Sequence, residues 1–347
     1  MSDGASTLKT VLKRGALLTA ANWPVVLIQL VADTTFQALF AIPVVGAAML
    51  VAMLFGADIR QLLQGSLRDA AATVAGALIS QPIAFGAFVI AFALVLLGGS
   101  VLVFLIKGGT VTVLLEASRT SGSIEHPPLH LSVLRRASRF SLDRFTDGCV
   151  TLFRPYLWLG LLLMLAYAIS GAGYLGSLYV GYAAIGSRIQ AVGWTIVAGC
   201  ATLVLIGWIS AVNLIYLLLQ IAIASAPAGE RRAMRPAFRL VGGLLRHHLR
   251  ELAAVFLVVL LLVIGATVAS ALAWSGVGLI AFVPVVGIAV VPLQLLALVV
   301  RGVVFEYLGL MALGAYLSLF RTYHLYQQGA PDEALSYAAD ALVGRMA

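Results

Sequence analysis

The chain has 347 residues, 62% of them apolar and only 10% charged, and its mean hydropathy is +1.04. Soluble domains carry roughly half apolar and a quarter charged residues, so this composition excludes a soluble fold and indicates an integral membrane protein. The formal charge of +8, from 22 basic and 14 acidic side chains, belongs in such a chain to loop topology and anionic lipid, and nucleic acid is not an expected partner.

In chain order, the N-terminal MSDGASTLKTVLKRGALLTAANW lacks the uninterrupted apolar core of a cleavable signal, so insertion is expected through the first true span. A crossing helix takes about 20 apolar residues, because lipid offers backbone amides no partner outside the helix. Six stretches qualify, at about 22–44, 83–106, 155–180, 193–220, 252–274 and 284–306, and residues 327–347 form a C-terminal tail. Lysine and arginine near the spans stay cytoplasmic. Lys9, Lys13 and Arg14 precede the first span, seven basic residues from Lys107 to Arg154 follow the second, and six arginines of RRAMRPAFRLVGGLLRHHLR follow the fourth. That alternation predicts six crossings in a bacterial inner membrane with both termini cytoplasmic. Two crossings within residues 22–56 would carry every arginine-rich segment outside, so one is expected. The part after Pro43 is then shallow or re-entrant, and residues 307–326 are left open between re-entrant, interfacial and spanning.

The spans pair, and a basic amphipathic segment introduces each pair, giving approximate repeats at 8–119, 131–225 and 233–326 within one membrane domain, 1–347. The expected fold class is therefore all-α and polytopic: six transmembrane helices as three hairpins with amphipathic interfacial helices. IPVVGAA at 42–48 echoes VPVVGIA at 283–289, from different places in their hairpins. A further amphipathic helix is expected outside, over IRQLLQGSLRDAAATVAGAL. Gly173, Ser177 and Gly181 offer a small-residue contact face, within the chain or between copies.

In residues 231–250, Met234, Phe238, Val241, Leu245, Leu249 and Leu252 form one stripe at helical spacing. Arg232, Arg235, Arg239, Arg246 and Arg250 form a second, about 115° away on the helical wheel. Such a helix lies in the headgroup layer with its arginines toward phosphate. Gly242 and Gly243 are the expected bend. Arg135, Arg136 and Arg139 are read in the same way.

Within the spans, Asp33 is expected either to form an ion or proton site or to be satisfied by a neighbouring helix, since a mid-bilayer carboxylate costs about 3 kcal/mol on insertion scales. Asn213, Arg301 and Glu306 join it as a candidate intramembrane polar site. Gln220 and Asn213 also read as interhelical hydrogen-bond donors, Lys107 as the mark of a membrane edge, and Arg301 as snorkelling to the interface. Prolines 24, 43, 284 and 292 are candidate helix breaks that expose backbone to a transported solute. Phosphate loops, nucleophile elbows and zinc helices are missing from the sequence, and the two prolines of HPPLH at 126–130 keep its histidines from forming a helical pair. No enzyme, metal or cofactor is expected. Cys149 and Cys200 are too few for a disulfide framework.

RRAMRPAFRLVGGLLRHHLRELAAVFLVVLLLV resembles the multi-pass membrane domain attached to some bacterial glycerophosphodiester phosphodiesterases and its stand-alone relatives of unknown function. RRASRFSLDRFTDGCVTLFRPYLWLGLLL and LFRTYHLYQQ point the same way, and about 130 residues take part. In that family the hydrolytic chemistry lies in a separate soluble barrel, so the resemblance implies a membrane module without the enzyme and carries over no catalytic residue. The sequence reading is thus a scaffold or lipid-contacting module whose partners are anionic phospholipid headgroups. A membrane or cytoplasmic protein and a second copy of the chain are further candidate partners. A transporter or channel with a polar path around Asp33 is the first alternative, and a membrane-embedded enzyme the second.

Overall fold

The computed structural model describes residues 3–55, 82–122, 124, 134–135, 137–183, 188–227, 229, 234–281 and 284–327. The fold is all-α. Its helices are α1 (Asp3–Ala21), α2 (Trp23–Phe55), α3 (Pro82–Thr120), α4 (Leu142–Ala183), α5 (Arg188–Ser225), α6 (Met234–Ala281) and α7 (Pro284–Gln327). Six of them, α2 to α7, are long and apolar enough to cross a membrane, which makes this a polytopic membrane protein. The expected outer amphipathic helix, Arg136, Arg232 and the tail beyond Gln327 lie outside the described residues.

Helices α2 and α3, α4 and α5, and α6 and α7 pack as hairpins, and each hairpin touches the next, so that α7 returns to α2 and closes a ring. Within hairpins the contacts are specific. The Phe40 and Phe92 rings meet edge to face at 5.2 Å, and Trp208 Nε1 donates to Ser170 Oγ at 3.0 Å. Tyr174 and Thr202 share a hydroxyl hydrogen bond.

The ring is dense at one end only. Buried apolar side chains cluster around Val25, Leu114, Leu152, Leu218, Leu252 and Leu317, whereas the far halves of the spans expose their leucines and valines, as lipid-facing surfaces do. Backbones approach closely in the dense half through glycine. A Cβ on Gly15 of α1 would stand 2.4 Å from the Met311 carbonyl oxygen of α7, and one on Gly109 of α3 2.7 Å from that of Phe145 on α4. Within the chain, Gly173 and Ser177 of the small-residue face are exposed, with open space beside Gly173, and only Gly181 meets a neighbour, the Trp194 ring.

This dense half is the basic end. Arg14 of α1 and Arg321 of α7 both donate to the Ser118 carbonyl oxygen, at 3.1 and 2.7 Å, and Arg139 Nε donates to Thr120 Oγ1 at 3.0 Å. Three cations thereby cap the C-terminus of α3, where the last carbonyls lack helical partners and the helix dipole is negative. Beside them Asn22, 1% exposed, donates from Nδ2 to the carbonyls of Leu18 (2.9 Å) and Ala137 (3.1 Å) and accepts the Arg139 N–H at 2.9 Å. It ties the α1–α2 corner to the segment entering α4.

Helix continuity answers three local readings. α2 and α7 run as helix through Pro43 and Pro292, while Pro24 and Pro284 sit in first turns where no amide hydrogen bond is lost, so none of these four prolines breaks a span. Residues 43–55 and 307–326 are helical, as the ends of α2 and α7. α6 passes Gly242 and Gly243 unbroken and departs from helical geometry at His248 (φ −124°, ψ 25°).

Candidate functional site

Where the dense half gives way to the open half, a cavity of about 230 Å³ is lined by α2, α3, α5 and α7. At roughly 30 Å³ per water it holds about seven waters, or one small solute. Asp33 and Gln29 enter it from α2, Lys107 and Thr110 from α3, Gln220 from α5 and Glu306 from α7. Lys107 lies eleven residues before Ser118 and Glu306 fifteen before Arg321, which places the cavity roughly 16–22 Å along the helices from the arginine cluster.

The helical period explains the convergence. Gln29, Ala32 and Asp33 stand one turn apart on α2, as do Val103, Ile106, Lys107 and Thr110 on α3, and Glu306, Gly309, Leu310 and Leu313 on α7. Each helix therefore turns one continuous stripe inward. Tight neighbours fix the rotation: Gly108 and Gly109 seat α3 on α4, and Leu30 of α2 fits beside Gly302 of α7. Gln29 Nε2 donates to Thr110 Oγ1 at 3.1 Å and locks α2 to α3 at cavity level.

Asp33 of α2 and Glu306 of α7 both line the cavity. Lys107 Nζ lies 5.5 Å from the centre of the Tyr216 ring of α5, a cation–π distance. Gln220 is 2% exposed. Its backbone carbonyl accepts the Tyr156 hydroxyl at 2.8 Å, which fixes the residue on the cavity wall. The neighbouring Tyr216 hydroxyl is buried as well, one turn before Gln220 on α5 and beside its amide. Such groups are costly to bury alone, and each here has the other beside it.

Of the four intramembrane residues read from sequence, Asp33 and Glu306 meet here and two do not. Asn213 lies on an exposed face of α5, accepting the Tyr167 hydroxyl and donating to the Ile209 carbonyl. Arg301 is exposed and sits over the Phe305 ring at 5.6 Å, five residues and therefore well over 90° around the helix from Glu306. Lys107 is corrected from a membrane edge to a cavity residue. The signal was present, because α3 stays apolar on both sides of it, through VLVFLI before and VTVLL after.

The arginines divide as well. Arg135, Arg235, Arg239, Arg246 and Arg250 are exposed, whereas Arg139 is partly buried and spends its side chain on Thr120. The apolar stripe of α6 is rotated from the sequence reading. Ala237, Val241, Leu244, Leu252 and Val255 are buried in the protein core, while Phe238 and Leu249 are exposed. This face is covered by protein in place of the expected lipid. No family model matches this chain, and no curated protein or solved structure is similar to it.

Proposed function

We propose that this chain is a non-enzymatic membrane transport protein whose solute passes through the central cavity. The observation that carries this reading is the meeting of Asp33, Lys107 and Glu306, from three different helices, in one cavity with the buried Gln220 amide. Ionisable side chains inside spans are expensive to insert, and they mark solute or proton pathways. An anchoring role asks only for apolar spans and a basic rim, and it leaves such a cavity unused. The site is built from side chains on continuous helices, unlike the broken-helix sites that proline suggested.

Passage demands access from both membrane faces. Gly309 lines the cavity, is exposed, and has open space where a Cβ would stand. A Gly309→Cys probe, with Cys149 and Cys200 replaced by alanine, is expected to react with a small charged methanethiosulfonate in right-side-out and in inverted vesicles. Reaction from one face only, or from neither, would set the transport reading aside.

A second reading concerns the basic end, and the exposure of Arg235, Arg239, Arg246 and Arg250 supports it. In this reading that end faces the cytoplasm of a bacterial inner membrane, with both termini inside. Its arginines bind anionic phospholipid headgroups, each contributing about 1 kcal/mol, or an acidic protein partner. The similarity to the membrane domain that accompanies glycerophosphodiester phosphodiesterases fits this role as a module beside a separate partner.

A further inference from the structure

Resting on the proposal that the central cavity takes a solute, we infer that the solute is an amphiphile, with one small hydrogen-bonding head and a hydrocarbon tail. The head occupies the cavity, and the tail lies among the far halves of the spans. What borders the cavity differs on its two sides. Toward the basic end the next residues are buried: Val113 and Leu114 after Thr110 on α3, Ile221 and Ala222 after Gln220 on α5, and Ala315 and Leu317 after Leu313 on α7. Away from that end exposure begins within one turn, at Val101 before Val103, Ile215 before Leu217 and Val304 before Glu306.

Beyond that point the helices are open on more than an outer side. Leu298, Val299, Val300 and Arg301 of α7 are exposed in succession, and at 100° per residue four in a row leave no packed face. Val89, Ile90 and Ala91 of α3 are exposed in succession too, as are Ile206, Gly207 and Trp208 of α5. A span with lipid outside and protein inside keeps a buried stripe every three or four residues. These walls are hydrocarbon. Residues 38–55 of α2, 82–99 of α3 and 284–300 of α7 contain one hydrogen-bonding side chain, Gln294. On α5, Asn213, Trp208 and Thr202 are each bonded to α4, through Tyr167, Ser170 and Tyr174.

The cavity itself is the reverse. Gln29, Asp33, Lys107, Gln220 and Glu306 supply donors and acceptors around about 230 Å³, room for a head of glycerol or ethanolamine size. Eighteen helical residues span about 27 Å, more than one leaflet of a hydrocarbon layer about 30 Å thick, so an ordinary acyl tail fits beyond it. A free polar solute would use the cavity and leave the walls beyond it unmatched. An amphiphile matches both.

The test is protection of a cavity cysteine in the full chain, reconstituted in phosphatidylcholine nanodiscs. Gly309→Cys, with Cys149 and Cys200 replaced by alanine, is reacted with N-ethylmaleimide, a neutral reagent soluble in water and in lipid. Four probes share one long tail and differ in head: monooleoylglycerol, oleoylethanolamide, oleylamine and oleic acid. Octadecene supplies the tail alone, and glycerol and ethanolamine supply heads alone. At least one headed probe is expected to slow the reaction tenfold or more, whereas octadecene at the same mole fraction and the free heads slow it less than twofold. Val150→Cys, exposed on α4, should react at an unchanged rate throughout. Gln220→Leu, added to Gly309→Cys, removes hydrogen-bonding groups from the cavity and should abolish the protection. Circular dichroism and size-exclusion profiles equal to wild type establish its folding, and the comparison of probes decides without it. Less than tenfold slowing by every headed probe, equal protection by octadecene or a free head, equal slowing at Val150→Cys, or full protection in folded Gln220→Leu overturns the inference. Two-sided methanethiosulfonate reactivity at Gly309→Cys without such protection removes the inference and keeps transport. Protection with one-sided reactivity keeps the amphiphile site and removes transport.

Discussion

At the scale of single residues, the polar groups with most consequence are those with several partners. Asn22 offers one side chain to three backbone groups, and two of them, the Ala137 carbonyl and the Arg139 N–H, lie in the segment that enters α4. Replacing it with alanine leaves the Arg139 N–H and the Ala137 carbonyl buried and unsatisfied, at about 1–3 kcal/mol each. Asn22→Ala should therefore lower the apparent Tm in detergent clearly, while Ser177→Ala, at an exposed site, should leave it unchanged. Equal behaviour of the two variants would mean that the corner is not a structural tie. The sequence made Asp33 and Glu306 visible, because a carboxyl inside an apolar wall is conspicuous wherever its helix is turned. It did not show that they meet, nor that Asn213 and Arg301 stand apart from them. Periodicity reports which residues share a face of one helix, and the rotation of that helix is set by neighbours such as Gly109 against Phe145. Asn22 was not singled out, since its Ala137 and Arg139 partners are 115 and 117 residues away, whereas Gln220 was read as an interhelical donor without its place in the cavity.

Among elements, glycine contact explains where the ring is tight. The hairpins were legible because apolar length and loop charge are local quantities, and α2 to α7 match the six expected spans with longer ends. Two of the three small-residue positions make no contact within the chain, because glycines spaced four apart occur on open faces as well as at crossings. Discrimination rests on what a Cβ would meet. At Gly15 it meets the backbone of Met311 and Ala315 at 2.4 and 2.7 Å, and backbone cannot turn aside as a side chain can. Gly15→Ala is thus expected to push α1 off α7 and to cost about 1–3 kcal/mol by overpacking. Gly265 in α6 has nothing within 4 Å, and Gly265→Ala should gain up to roughly 1 kcal/mol from helix propensity alone. Apparent Tm values measured side by side check both directions. A Gly15→Ala protein as stable as wild type would show that α1 is not seated by this contact.

For the whole molecule, charge and packing density are distributed together. The arginine capping of α3, the exposed arginines of α6 and the buried aliphatic cluster all share one end, and the carboxyl-bearing cavity lies farther along the helices. Side chains divide at this end between two tasks. Arg14, Arg139 and Arg321 hold the helices together and are partly or wholly buried, whereas Arg235, Arg239, Arg246 and Arg250 are exposed and make no ion pair among the described residues. If those four meet anionic headgroups, the folded protein gains stability from a surface that the unfolded chain engages less specifically. In nanodiscs, apparent Tm should then be higher with phosphatidylglycerol present than with phosphatidylcholine alone. The difference should shrink in 1 M salt, where the screening length falls to about 3 Å. It should also vanish when the four arginines are changed together to glutamine, a substitution that leaves the internal caps intact. An equal rise in Tm for the substituted protein would assign the lipid effect to the spans and leave the arginine face without a role at the bilayer.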